Sequence, residues 1–430
     1  MADRKHRVVI VGGGFGGLLA AKSLGSANCE VVLIDRRNHH LFQPLLYQVA
    51  TAALSPSEVA WPIRHLLRYH RNVRVIMATV TGVDTANHAV LLEDGSSENY
   101  DSLILATGAH HAYFGHDEWE AFAPGLKTVE DATAIRRKLL LAFEAVERET
   151  DPKRRQALLT FALIGGGPTG VEMAGAIVEL GRASLRGQFQ TIDPREMRVV
   201  LIEGGNKILG NFDEDLSGYA LQSLRKMGVE VELGRPVTAV DADGVTFGDQ
   251  RLEAKTIIWG AGVAASPVAK WLDIEGDKAG RIKVEPDLSV PGHRDIFVIG
   301  DAASILQENG KPVPGIAPAA KQQGRYVANL IRHRLGGNPP PPPFRYKHAG
   351  DLATIGKRSA IIDFGWIKLR GALAWWVWGL AHIYFLVETR TRIFITISWL
   401  WIYLSGNRSS RLITHGMAPH PKPLDEVDKG

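Results

Sequence analysis

The chain has 430 residues, 45% of them hydrophobic and 22% charged, with a formal net charge of +4. That length and apolar fraction allow two or three domains with real cores and exclude a disordered protein. Its single cysteine, Cys29, excludes a disulfide framework, a Cys-x-x-Cys redox site and a thiolate metal cluster.

The N-terminal Met-Ala-Asp-Arg-Lys-His-Arg runs almost directly into a strand, Arg7–Val11, without the apolar stretch of a secretory signal. The cytoplasm is therefore the expected compartment. The glycine-rich turn Gly12-Gly13-Gly14-Phe15-Gly16-Gly17 follows and leads into an Ala-rich helical pattern, Gly16–Leu24. In such a turn the first glycine permits the reversal, the second admits a pyrophosphate to the backbone N–H groups, and the third lets helix and strand pack. The helix N-terminus then faces the anion. The next strand, Val31–Ile34, ends in Asp35, 23 residues beyond Gly12, a spacing suited to a ribose hydroxyl. Cys29 precedes this strand and reads as a packing residue. The run Tyr100–Leu105 reads as a buried strand ending at Ala106-Thr107-Gly108.

A second unit begins near residue 116, with a long helix about Asp131–Glu149 and a second turn, Gly165-Gly166-Gly167-Pro168-Thr169-Gly170. One such turn is a weak signal; two in register imply that one chain holds two dinucleotides. The matching strand, Val199–Ile202, ends in Glu203, 38 residues beyond Gly165. The usual interval is about 20, and the polar stretch Arg182 to Glu196 reads as a surface extension that accounts for the excess. This unit closes at Ile257-Ile258-Trp259-Gly260-Ala261-Gly262. Strand Asp295–Ile299 then ends in Gly300-Asp301, and helix Pro318–Leu335 follows. The alternation implies a parallel sheet seen twice, with ligands at the strands' carboxyl ends and the second unit inserted in the first.

Gly336-Gly337-Asn338 and the prolines 339–343 mark a linker, with a separate module beyond it. Between Arg345 and Arg411 ten Lys/Arg face three acids, a local +7, and six of the ten tryptophans lie there. Basic residues among aromatics also mark nucleic-acid sites, but these aromatics sit inside long aliphatic runs, so a membrane surface is the better partner and no nucleic acid is expected. The runs Gly371–Val387 and Ile393–Gly406 hold 17 and 14 uncharged residues, short for membrane spans. Arg390, Arg392, Arg408 and Arg411, beside Trp399 and Trp401, suit helices lying in the membrane plane with their cations on anionic headgroups. The same segments also suit a homodimer interface.

As a set, Gly12/Gly14/Gly17, Asp35, Ala106-Thr107-Gly108, Gly165/Gly167/Gly170 and Gly300-Asp301 resemble the flavoproteins with two dinucleotide-binding domains. Disulfide and sulfide:quinone reductases of that group need active-site cysteines that this chain lacks. The stretch Asn38 to Thr51, the stretch Gly165 to Glu172 and the Trp/Arg-rich C-terminus resemble the type II NADH:quinone oxidoreductases, single-subunit respiratory enzymes that do not pump protons.

The resemblance implies an α/β fold with two Rossmann-like domains, the second inserted in the first, and a C-terminal membrane-surface helical module. Residues 1–115 and 264–337 would bind FAD, 116–263 would bind NADH, and 338–430 would meet the membrane. FAD would be held non-covalently by Gly12, Gly13, Gly14, Phe15, Gly16, Gly17, Asp35, Arg36, Val80, Thr107, Gly108, Asp301, Ala317, Pro318 and Lys357, the lysine beside the flavin ring. NADH would meet Gly165, Gly167, Gly170, Glu172, Glu203 and Gly262, with Glu203 favouring NADH over NADPH by repelling a 2′-phosphate. Glu172 would couple the nicotinamide and quinone sites and relay protons. It also suits the bland role of an acid complementing a helix dipole.

The quinone motif of the family commonly reads Ala-Gln-x-Ala-x-Gln. This chain has Ala317-Pro318-Ala319-Ala320-Lys321-Gln322, so Ala317, Pro318 and Gln322 line the expected site without the first glutamine. Pro318 also suits the first turn of a helix. The expected reaction is hydride transfer from NADH to FAD and two-electron reduction of a membrane quinone, at the cytoplasmic face of the cell membrane. Two alternatives are a soluble NAD(P)H-dependent reductase of a protein acceptor and a redox-gated binding flavoprotein like apoptosis-inducing factor.

Overall fold

The computed structural model describes residues 4–308, 310–386 and 388–414. The first three residues, Val387 at the end of the long uncharged run, and residues 415–430 of the expected membrane module lie outside the described residues.

Strand β1 (Arg7–Val11), helix α1 (Phe15–Leu24) and strand β2 (Glu30–Asp35) form the first β–α–β unit. Val8 to Val11 are all buried, which is how a parallel strand covered on both faces should read. Helices α2 (Leu46–Ala50) and α3 (Ile63–Leu67) precede β3 (Val73–Met77) and β4 (Ser102–Leu105). The chain leaves along β5 (Ala109–His111) for the second unit. There α4 (Val129–Arg148) starts two residues before its expected position, because Thr128 and Asp131 close a reciprocal capping box of 2.9 and 3.0 Å.

Strand β6 (Thr160–Ile164), helix α5 (Pro168–Glu179) and strands β7 (Arg198–Glu203), β8 (Val229–Leu233) and β9 (Thr256–Trp259) give a four-stranded parallel sheet in the order β8-β7-β6-β9. The chain returns along β10 (Val263–Ala265), which pairs antiparallel with β5, Ala109 opposite Ala265. It then adds β11 (Ser289–Val290) and β12 (His293–Val298) to the first sheet, whose order is β11-β12-β4-β1-β2-β3. The second sheet is thus inserted between two strands of the first, as the chain order predicts. Helix α6 (Ala317–Leu335) packs on α1 so closely that a Cβ on Gly324 would lie 2.2 Å from the Gly16 carbonyl oxygen.

Beyond the prolines, β13 (Asp351–Thr354), β14 (Ala360–Asp363) and β15 (Lys368–Gly371) form an antiparallel meander, followed by α7 (Ala372–Phe385) and α8 (Thr389–Ser405). This segment is not the separate module expected from its linker. Ala353, Ile361, Trp378 and Ile395 belong to one continuous buried cluster with Val171 and Met173 of α5. Contact with α5 is close: a Cβ on Gly175 would lie 2.8 Å from the Gly356 nitrogen. Truncating Trp378, which is 2% exposed, would cost about 3–5 kcal/mol. Among the described residues no helix is long and apolar enough to cross a membrane.

Candidate active site

Both glycine turns are built alike. Gly12 and Gly165 have φ of +103° and +106°, and a Cβ on either would strike the turn after the neighbouring strand, at Ala106 or Ala261. A Cβ on Gly17 or Gly170 would lie 1.9 Å from the carbonyl oxygen of Gly12 or Gly165, so these third glycines serve helix–strand packing. Each turn is closed by the acid of the next strand. The Gly13 N–H donates to Asp35 at 2.6 Å and the Gly166 N–H donates to Glu203 at 2.5 Å. Neither α1 nor α5 has a side-chain cap or an acid in its first turn, so their N-terminal N–H groups remain for an anion.

The first turn opens into a cleft of about 1230 Å³, larger than the roughly 300–1000 Å³ of ordinary small-molecule sites. Gly12 to Gly16, Asp35, Arg36, Val80, Thr107, Gly108, Asp301 and Ala317 are brought together in its lining. Gly17 and Pro318 are not: the first lies behind the turn, and the second occupies the first turn of α6, where its missing N–H costs nothing. Lys127, which sequence reasoning missed, also lines the cleft, 4.0 Å from Asp301. His40 was missed as well. It is buried, with Nδ1 2.9 Å from the Gly13 carbonyl oxygen, and burial pulls its pKa down to about 4, which fixes it neutral behind the turn.

A second, narrower cavity lies between α5 and the C-terminal helices, lined by Tyr47, Gln48, Glu172, Glu179, Thr354, Lys357, Trp399 and Arg408 among others. Glu172 does not cap its own helix. Its Oε1 lies 3.4 Å from the Thr354 N–H of β13, and burial raises its pKa to about 8. Around it the Trp399 indole N–H donates to Gln48 (2.7 Å), the Gln48 amide donates to the Tyr47 hydroxyl (3.0 Å), and that hydroxyl lies 3.2 Å from Thr354 Oγ1. Lys357 lines this cavity rather than the first cleft, and its backbone N–H donates to Glu179 at 2.6 Å.

Comparison with known proteins decides the family. The pyridine nucleotide-disulphide oxidoreductase model matches residues 6–324 and the NDH2 C-terminal domain model matches residues 348–408. The chain is 44% identical to the type II NADH:quinone oxidoreductase Ndh of Mycobacterium tuberculosis, over 96% of this chain and 92% of that protein. It is 43% identical to NdhA of the same organism, over 96% and 90%. The chain belongs to the type II NADH:quinone oxidoreductases. It oxidises NADH through FAD and reduces a quinone, and the two alternatives weighed from sequence are not favoured. The fold agrees: NDH2 from Plasmodium falciparum superposes with a TM-score of 0.86 at 21% identity, covering 95% of this chain and all of that one.

Several expectations for this type II enzyme need correction. Gln322 is not free for a quinone carbonyl, because its amide donates to the Lys347 carbonyl (2.8 Å) and accepts from the Lys347 N–H (2.9 Å). That paired geometry clips the post-proline linker to α6. Three of the four tail arginines bond to the protein's own oxygens, and Arg408 is buried. Arg408 donates to Glu179 (3.1 Å) and the Thr51 carbonyl (2.8 Å); Arg392 caps α7 at Tyr384 and Leu386; Arg411 donates to Ser184 and Gln188. Trp399 likewise points inward to Gln48, while Trp401 is 61% exposed. Of the four arginines only Arg390 stays outside, over the Phe394 ring.

The stretch 182–196 is likewise more than a surface extension. It opens as a π-helical turn, Leu180–Ser184, that continues α5, and Ser184 Oγ donates to the Gly406 carbonyl at 2.8 Å. Cys29 is buried with its pKa raised by desolvation, the inert packing residue expected.

Proposed function

We propose that FAD lies in the first cleft and that the quinone approaches through the second cavity at a membrane surface. FAD fits the first cleft by its size, by the open space at Gly14 and by the uncapped start of α1. Gly12 to Gly16 would hold its pyrophosphate, Asp35 with Arg36 its ribose end, Val80 its adenine through backbone, and Thr107, Gly108, Ala317 and Asp301 the remainder. When bound, the flavin accepts a hydride from NADH and delivers two electrons to the quinone.

NADH would lie on Gly165, Gly167 and Gly262 with Glu203 on its ribose. Glu172 is the group that would serve the quinone: protonated at neutral pH in the cavity wall, it can deliver a proton from its carboxyl to a quinone oxygen. Lys357 in the same wall would offset negative charge arising there. The observation carrying this reading is that one cavity joins Glu172 and Lys357 to the aromatic residues of α7 and α8.

The membrane reading rests on the outer faces of those helices. Leu380, Tyr384, Ile397, Trp401 and Leu404 are 59–73% exposed. An apolar face of this size suits a bilayer on the cytoplasmic side, with a second copy of the chain as the competing occupant. The test is NADH oxidation by purified protein with short-chain ubiquinone and menaquinone analogues, compared with ferredoxin and oxygen. Faster turnover with ferredoxin than with either quinone would overturn the assignment of the second cavity.

A further inference from the structure

Helix α7 carries no Lys or Arg, and of the two arginines of α8 Arg392 bonds to the Leu386 carbonyl, which leaves Arg390 as the exposed cation on these helices. A basic edge lies beside them in a different part of the chain. Residues 60–74 carry Arg64, Arg68, Arg71 and Arg74, with His65 and His70, and no Asp or Glu. Arg74 pairs with Glu98 at 3.3 Å. Arg64, His65, Arg68 and Arg71 are all exposed, and among the described residues neither Arg64 nor Arg71 makes an ion pair.

This edge is held against the helical hairpin. Glu388, in the turn between α7 and α8, lies 3.3 Å from His65 Nε2 and 3.8 Å from Arg68 Nη1. Ser398 of α8 donates to Glu58, just before α3, at 3.1 Å. The two acids along this edge, Glu58 and Glu388, are outnumbered by the exposed Arg64, Arg68 and Arg71, so the edge stays positive. Tyr69, 79% exposed, lies under the Arg68 guanidinium at 4.3 Å, an amphipathic ring of the kind that sits at headgroup depth.

We propose that α3 and the turn after it, through Arg64, Arg68, Tyr69 and Arg71, form the headgroup-binding edge of the membrane-facing surface, taking the phosphates of anionic phospholipids. The proposal rests on the membrane reading above and places the electrostatic half of that contact on the flavin-binding unit. The apolar insertion is then made by α7 and α8, and the charge contact by residues over 300 positions earlier in sequence. Having both signals on one docked surface fixes the tilt of the enzyme and so the direction in which the second cavity opens.

The test is flotation of the flavin-loaded full chain with vesicles of phosphatidylcholine alone and of phosphatidylcholine mixed with phosphatidylglycerol. Each cation near an anionic surface strengthens binding about fivefold, so R64Q/R68Q/R71Q should lose on the order of a hundredfold on the anionic vesicles and little on the neutral ones. Raising the salt should shrink the difference between wild type and variant. Flavin absorbance and NADH:ferricyanide turnover, which should match wild type, show that the variant is folded. A variant that keeps the wild-type preference for anionic vesicles overturns the proposal while leaving the membrane reading intact. Wild type that floats with neither vesicle, or that hides the same surface in a dimer, overturns both.

Discussion

Arg408 reaches back across 229 residues to Glu179, and the two charges meet at 3.1 Å with the guanidinium buried at the edge of the second cavity. Glu179 sits where α5 passes into its π-helical turn, so the pair ties the end of the described chain to the helix that carries Glu172. Removing one partner of a buried pair leaves the other uncompensated, at about 3–5 kcal/mol. Arg408→Met should therefore lower the melting temperature and reduce quinone turnover more than ferricyanide turnover. Equal losses with both acceptors would mean that the pair holds the fold alone and not the cavity.

Glu172 gives a pH dependence with a definite sign. Its pKa rises from 4.5 to about 8 in the folded protein, so the folded state holds a proton that the unfolded state releases. Stability from this group is fully present below the unfolded value and is lost as pH rises through about 8. Glu172→Gln cannot ionise. Its melting temperature should fall less than that of wild type between pH 6 and 9, while its quinone turnover drops at every pH. Parallel melting curves would remove the assigned shift.

Glu203 should set the choice of nicotinamide. Its carboxylate is already held by the N–H groups of Gly166 (2.5 Å) and Gly205 (2.6 Å), leaving its outer lone pairs for a ribose 2′-hydroxyl. A hydrogen bond to a charged group contributes about 1.5–3 kcal/mol, so Glu203→Ala should lower kcat/KM for NADH by about ten- to a hundredfold. NADPH should lose far less, since a 2′-phosphate no longer meets a carboxylate. An unchanged NADH to NADPH ratio would refute the role.

The proposed membrane face is testable without disturbing the core. Deleting everything after residue 370 is not a clean experiment, because Trp378 and Ile395 are core residues and Trp399 holds Gln48. Leu380→Glu with Leu404→Glu changes only side chains 67% and 73% exposed. This double variant should keep its flavin and its melting temperature within a few degrees while moving to the soluble fraction. Continued sedimentation with membranes would point to another anchor.

Much of this protein was legible from local chemistry. The glycine turns, their following helices and the acids Asp35 and Glu203 could be read because each depends on neighbours within one β–α–β unit. The paired hydride and quinone chemistry was legible through the family likeness of the same segments. What only the tertiary structure decided concerns groups brought together across long separations. Arg408 and Arg411 look like surface cations in a Trp-rich run, yet Arg408 is buried on Glu179 and the Thr51 carbonyl and Arg411 bonds to the Ser184 carbonyl, partners over 200 residues away that no local pattern encodes.

Gln322 likewise matches a motif position but is claimed by the Lys347 backbone. The prolines that read as a boundary carry the chain onto α5, where apolar area buried against Gly175 and its neighbours outweighs the freedom of a linker. Sequence determined the two β–α–β units and their glycine turns. Packing decided which charges stay at the surface, and so which edge of the molecule is left positive.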